Sequence, residues 1–159
     1  MAFQYSEKVH AAQREAAHKA IRAAYHVHLE MIAKTLGTSA VMKLFTGPLP
    51  ADCAAPNPPG EVVEYDLPPQ PFLAPRDEGQ EVVMYNSQAW IGDVSKDVKA
   101  SDIKEFRLYD YLGECHIQGS VSPEGDGGDL LLHTGPEMIR QGQRLNIGEF
   151  IMATVLEAK

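Results

Sequence analysis

The sequence predicts a mainly β protein, a small antiparallel β-sandwich or barrel of about seven to eight strands preceded by one long N-terminal α-helix. Three observations carry that expectation. Residues 6–36 contain neither Pro nor Gly and are dense in Ala. From Val41 onward, short apolar or alternating runs recur between turn signals at roughly the 8–12-residue spacing of sandwiches and small barrels. Nine of the eleven prolines fall between residues 48 and 75, where they confine the chain to sheet edges and connections.

The helix is expected from Ser6 to Leu36. Ser6 is suited to the N-cap, Glu7 places a negative charge in the first turn, and Gly37 is suited to ending the last turn. At 1.5 Å per residue such a helix runs about 45 Å, longer than a small β domain. Residues 1–37 therefore read as a helical arm and 38–159 as the β domain, with Pro-rich loops at 47–60 and 68–75. Along the arm, Ala12, Ala16, Ala20 and Ala24 repeat every fourth residue. Ile21, Tyr25, Leu29 and Ile32 run beside them, and Val9, Val27 and Met31 add further apolar surface. A low ridge of alanines lets another backbone approach closely but buries little area per residue, so such a helix needs something to pack on. Ala12, Ala16, Ala20, Ile21 and Ala24 are the candidate interface seam, for a second copy or another subunit in preference to the chain's own β domain.

The strands follow in order. Val41–Thr46 is a short apolar run closed by Gly47-Pro48, and Glu61–Leu67 precedes the second proline cluster. Glu81–Tyr85 and Gln88–Ile91 are the next two runs. Residues 94–102 are polar and mixed, a loop or a short helical turn. Glu105–Asp110 and Glu114–Val121 alternate about Leu112-Gly113 and read as an antiparallel hairpin, with Cys115, Ile117 and Val121 on one parity. Leu130–Leu132 and Met138–Ile139 are short. In the last strand, Arg144 to Leu156, the apolar parity changes at Gly148, which predicts a β-bulge or a bend from one sheet to another.

Little in the sequence points to catalysis. The net charge of −8 disfavours direct nucleic-acid binding, and no apolar run is long enough to span a membrane as a helix. The N-terminal residues lack the pattern of a secretory signal. Nucleophile-elbow and phosphate-loop motifs are missing. Two cysteines, Cys53 and Cys115, are too few for a disulfide framework or a Cys-based zinc site; a reducing compartment is the simplest reading, and a bridge between them stays open. Four of the six histidines (His10, His18, His26 and His28) lie on the helix at spacings of eight, eight and two, which cannot make a helical metal pair. His116 and His133 lie beyond it. Glu124–Asp129 has oxygen ligands of the kind calcium takes, in a sequence better explained as a flexible hairpin loop. The expectation is no metal and no cofactor. Leu67–Phe72 has the form of a polyproline ligand, although rigid connection is the commoner use. Trp90, Tyr85 and Tyr109 are the residues that would stack on a sugar in a carbohydrate-binding sandwich, and core positions in any other.

From Val41 onward, the order of motifs resembles a group of small structural proteins of tailed bacteriophages, typically encoded among the head genes. The likeness lies in Leu44-Phe45-Thr46-Gly47, then Pro50-Ala51-Asp52 and a Pro/Ala loop, then Gly60-Glu61-Val62-Val63. It continues in Phe106-Arg107-Leu108-Tyr109-Asp110-Tyr111-Leu112-Gly113 leading into Gln118-Gly119-Ser120-Val121. It ends in Asp129–Leu132, Ile139–Gln143 and Ile147–Phe150. It covers about three quarters of the chain; the long helix and the proline content of 48–75 depart from it. The resemblance implies a virion subunit made in the host cytoplasm, most simply a capsid decoration or cement protein, with the major capsid protein or other virion subunits as partners and a dimer or trimer as its own state. A neck or tail component is the nearest alternative.

Overall fold

A computed structural model describes residues 4–123, 130–132 and 138–155. One helix, α1 (Glu7–Leu36), leads into twelve strands among these residues: β1 (Val41–Phe45), β2 (Glu61–Asp66), β3 (Arg76–Glu78), β4 (Glu81–Tyr85), β5 (Trp90–Val94), β6 (Val98–Lys99), β7 (Glu105–Tyr109), β8 (Cys115–Pro123), β9 (Leu130–Leu132), β10 (Met138–Ile139), β11 (Arg144–Ile147) and β12 (Ile151–Val155). The fold is mainly β behind a long helix, as the sequence predicts. The count exceeds seven to eight because β3, β6 and β10 are two- or three-residue strands and because the last predicted strand is two.

Seven strands form one sheet in the order β11-β5-β2-β1-β7-β8-β9, antiparallel except for the parallel β8–β9 pair. Its end strands, β11 and β9, do not pair with each other among the described residues, so the sheet is open, like a sandwich layer rather than a barrel. A three-stranded sheet, β12-β4-β3, packs against it, and β10 pairs with β6 at one side. The chain crosses between the larger sheets at Gly148: β11 pairs with β5, and three residues later β12 pairs with β4. The parity change in the sequence is therefore the sheet-to-sheet bend.

The core lies between these sheets. Leu44, Val63, Tyr65 and Leu108 from the large sheet meet Val82 and Met84 from the small one. Phe72, Trp90, Phe106 and Phe150 fill its middle, with the Trp90 and Phe150 rings 4.9 Å apart and the Phe106 and Phe150 rings edge to face at 5.6 Å. Gly92 on β5 leaves room for the Tyr65 ring, which a Cβ there would meet at 2.4 Å or slightly more. That close approach is what glycine in a strand interior provides.

The helix is capped at both ends as expected. Ser6 Oγ accepts from Val9 N at 3.3 Å, and Gly37 takes a positive φ of 74° while its N–H bonds Ala33 O. Its second half docks on the β domain. Leu29 and Leu36 are buried, with Tyr25, Ile32 and Ala33 packed beside them; full burial of a leucine contributes about 1.5–3 kcal/mol. Arg22 Nη2 donates to Gly79 O at 2.7 Å, and His26 Nε2 lies 2.8 Å from Asp77 Oδ1, so the β3–β4 hairpin holds the helix by its middle.

The β7–β8 hairpin carries one correction. Its register shifts between Leu108 and Tyr109, so that Ile117 opposes Leu108 while Cys115 opposes Tyr109. Neighbouring residues on β7 face opposite ways, so Cys115 and Ile117 do not share a face as simple alternation predicts. One residue is bulged, and Cys115 turns to the outer side of the sheet.

Candidate functional site

The helix has two apolar faces. The docked one runs through Tyr25, Leu29, Ile32 and Leu36. On the opposite side, Val9, Ala12, Ala16, Ala20, Ala23, Val27 and Met31 are spaced 3, 4, 4, 3, 4 and 4. This is an eleven-residue repeat, close enough to the helical period that the stripe runs nearly straight along the helix. It is solvent-exposed throughout: Val27 is 57% and Met31 53% accessible, and every alanine in it is exposed. All five predicted seam residues are exposed. Ala12, Ala16 and Ala20 fall on the stripe. Ala24 borders it one turn after Ala20. Ile21 lies one turn before Tyr25, nearer the docked face. Sequence reasoning on four-residue spacing alone missed Ala23 as the link to Val27 and Met31; the 3-4-4 pattern is the signal that finds it.

A second arrangement lies on the outer side of the large sheet. There β7 is buried on both faces, and the Pro-rich loop 47–60 is fastened over Arg107 and Tyr109. Arg107, 1% exposed, is the fastener. Its Nη2 donates to Asp52 O at 2.9 Å, its Nη1 to Ala55 O at 3.0 Å and Asn57 Oδ1 at 3.1 Å, and its Nε to Gln118 Oε1 at 3.1 Å. Gln118 Nε2 donates in turn to Pro50 O, and Tyr109 Oη to Asn57 Oδ1. Burial pushes the Tyr109 phenol up to about 12, so it keeps its proton and its donor role. Glu105 is fully buried beside this network, and neither carboxyl oxygen has a hydrogen-bond partner. Desolvation raises its pKa, and the nearby Arg107 charge offsets only part of that.

The other sequence candidates are placed as follows. Trp90 is 1% exposed and offers no face for stacking. Tyr109 is buried under Asn57, and Tyr85 carries the Arg76 guanidinium 4.4 Å from its ring centre. Leu67, Pro71 and Phe72 are buried, so the polyproline-like segment spends its anchors on its own core. Of the helical histidines, His26 is engaged with Asp77 and His10 packs edge-on to Tyr5. Glu124–Asp129 and His133 lie outside the described residues.

The sequence reading also missed a cluster at the β7–β8 turn. Asp110, Glu114 and His116 offer ligand atoms within 4.8 Å of one another, a set that suits a divalent cation. Asp110 Oδ1 accepts from Leu112 N and Glu114 N, and Oδ2 lies 2.8 Å from His116 Nε2. Those bonds already account for the geometry as a capped turn. The His116 contact, followed by the two backbone amides, holds the Asp110 carboxyl below its usual range. Its spacing, Asp-x-x-x-Glu-x-His, is legible in the sequence once the turn is known.

Together these features define a helix-armed, mainly β protein whose outward feature is an uncovered apolar helical face. Comparisons with family models, curated proteins and solved structures gave no match.

Proposed function

We propose that this chain is a structural subunit of a virion, a capsid decoration or cement protein that stabilises a tailed-phage head. The motif order from Val41 onward supports the virion setting. The observation that carries the assembly role is the exposed apolar stripe Val9–Met31 on the side of α1 away from the β domain.

The occupant of that stripe is a second copy of the chain. A ridge of alanines admits an identical ridge at short distance, and only an antiparallel pairing makes use of the charges beside it. Lys8, Lys19 and Glu30 follow the stripe along one flank at eleven-residue intervals, whereas the other flank has no charged residue at those intervals. Antiparallel helices set like flanks together, so Lys8 of each copy meets Glu30 of the other. The cost is a Lys19–Lys19 approach at the centre, small at an exposed site. The β domain of each copy then stands free to contact the major capsid protein. Burial of apolar surface between subunits stabilises the assembled shell by mass action.

Light scattering behind a sizing column tests this, together with binding to phage heads that lack the protein. The expected result is a discrete dimer that binds heads. Ala16→Glu with Ala20→Glu should give a monomer of unchanged circular dichroism that binds heads at least tenfold more weakly. A wild-type monomer, or a double variant that still dimerises, overturns the role assigned to the stripe. Labelled protein found only at one vertex of the virion moves the assignment to the neck or tail.

A further inference from the structure

Cys53 and Cys115 are 62 residues apart in sequence, and the fold sets the loop that bears Cys53 over the face of the large sheet to which Cys115 turns. Two features of the fold bring this about. The bulge in β8 turns Cys115 to the outer side, opposite Tyr109. The loop bearing Cys53 is then fastened over that side at four points around it: Pro50 O by Gln118, Asp52 O and Ala55 O by Arg107, and Asn57 by Tyr109. Asp52 also closes its own turn, its carboxylate accepting from Ala54 N and Ala55 N at 2.9 and 3.0 Å. The loop position of Cys53 is therefore set from both sides, over the face that Cys115 shares with Tyr109. Both residues are partly exposed and reduced in this structure.

We propose that Cys53 and Cys115 are a thiol-modification site, which a small-molecule disulfide converts to an intramolecular cystine that locks the Pro-rich loop onto the sheet. The chemistry is thiol–disulfide exchange in two steps. Cys53, as thiolate, attacks the small disulfide; one thiolate leaves and a mixed disulfide forms on Cys53. Cys115 then loses its proton and attacks the Cys53 sulfur, forming the protein cystine and releasing the second small thiolate. Two protein thiols are oxidised, and one small disulfide is reduced to two thiols. The order follows from the environment. Burial, and then the neighbouring Cys53, push the Cys115 thiol up to about 12. It is thus a poor first nucleophile, but it sits in place for the second step. A reducing compartment leaves the loop held by hydrogen bonds alone; an oxidising one adds the covalent clamp.

The test uses the full chain with oxidised glutathione, followed by intact mass, non-reducing peptide mapping and thermal melts. The expected product is a single chain not cross-linked to another, lighter by two hydrogens, with Cys53 and Cys115 in one linked peptide. Closing a loop of about 60 residues should raise Tm by about 5–10 °C, reversed by dithiothreitol. Cys53→Ser and Cys115→Ser should melt like the reduced wild type and show no rise with oxidised glutathione. Thiols that stay free, a separate glutathione on each cysteine, or disulfides between chains would each overturn the pairing. A cystine that leaves Tm unchanged would overturn the clamp.

Discussion

Arg107 and Glu105 share one face of β7, both buried, and meet opposite fates there. Arg107 is buried with each nitrogen bonded, to the Asp52 and Ala55 carbonyls, Asn57 and Gln118. Arg107→Ala would strand those acceptors beneath the loop, and unpaired buried polar groups cost about 1–3 kcal/mol each. We expect a loss of about 3 kcal/mol in urea unfolding; a loss below 1 kcal/mol would mean that water replaces the guanidinium. Glu105 is buried with no such partners. Its folded pKa is raised, chiefly by desolvation. A raised carboxyl binds its proton more tightly in the fold, so its ionisation works against stability at neutral pH. That penalty disappears as pH falls through the folded value, and is gone below the unfolded value of about 4.3. Glu105→Gln should therefore stabilise the protein by about 1 kcal/mol at pH 7 and by less at pH 4. Equal effects at both pH values would show that the carboxylate is solvated.

At the scale of elements, the docking of α1 depends on a few polar contacts beside its buried leucines. Asp77 is the centre of these. The His26 contact, and then Arg22, hold its carboxyl below the usual range. A lowered folded pKa contributes stability above the unfolded value of about 3.9 and loses it as pH falls through the folded one. The Asp110–His116 contact acts in the same direction at the β7–β8 turn. Acidification should therefore loosen the helix from the β3–β4 hairpin before the sheets unfold. In hydrogen exchange, Asp77→Asn should expose amides near Arg22–His26 at pH 7 with only a small change in Tm, since the contact is exposed. Unchanged exchange there would leave Leu29 and Leu36 as the whole of the dock.

For the whole molecule, the two faces of α1 divide the work between folding and assembly. One face completes the core of its own chain. The other is left to a second copy, and dimerisation through it makes stability depend on concentration. Tm should rise with protein concentration in the wild type and stay flat in the Ala16→Glu, Ala20→Glu variant. Flat behaviour in both would separate the helix from self-association. The charge of −8 does not prevent this, because charges at the seam are confined to one flank.

Much of this architecture was legible in the sequence, because local chemistry specifies it. Ser6 and Gly37 cap the helix where backbone groups lack partners, and the parity change at Gly148 marks the crossing between sheets. Alternation placed Phe106 and Leu108 in the core. Tertiary structure alone decided the rest. Which apolar face of α1 docks depends on where the β3–β4 hairpin lies, since both faces carry apolar residues at helical spacing. A one-residue bulge turned Cys115 outward against the simple pattern, because register is set by pairing and not by composition. The Arg107 clamp and the placing of Cys53 over the face to which Cys115 turns both arise from a loop folded back over strands some 50 to 70 residues away. Such contacts have no period and no fixed spacing, so only the folded chain brings them together.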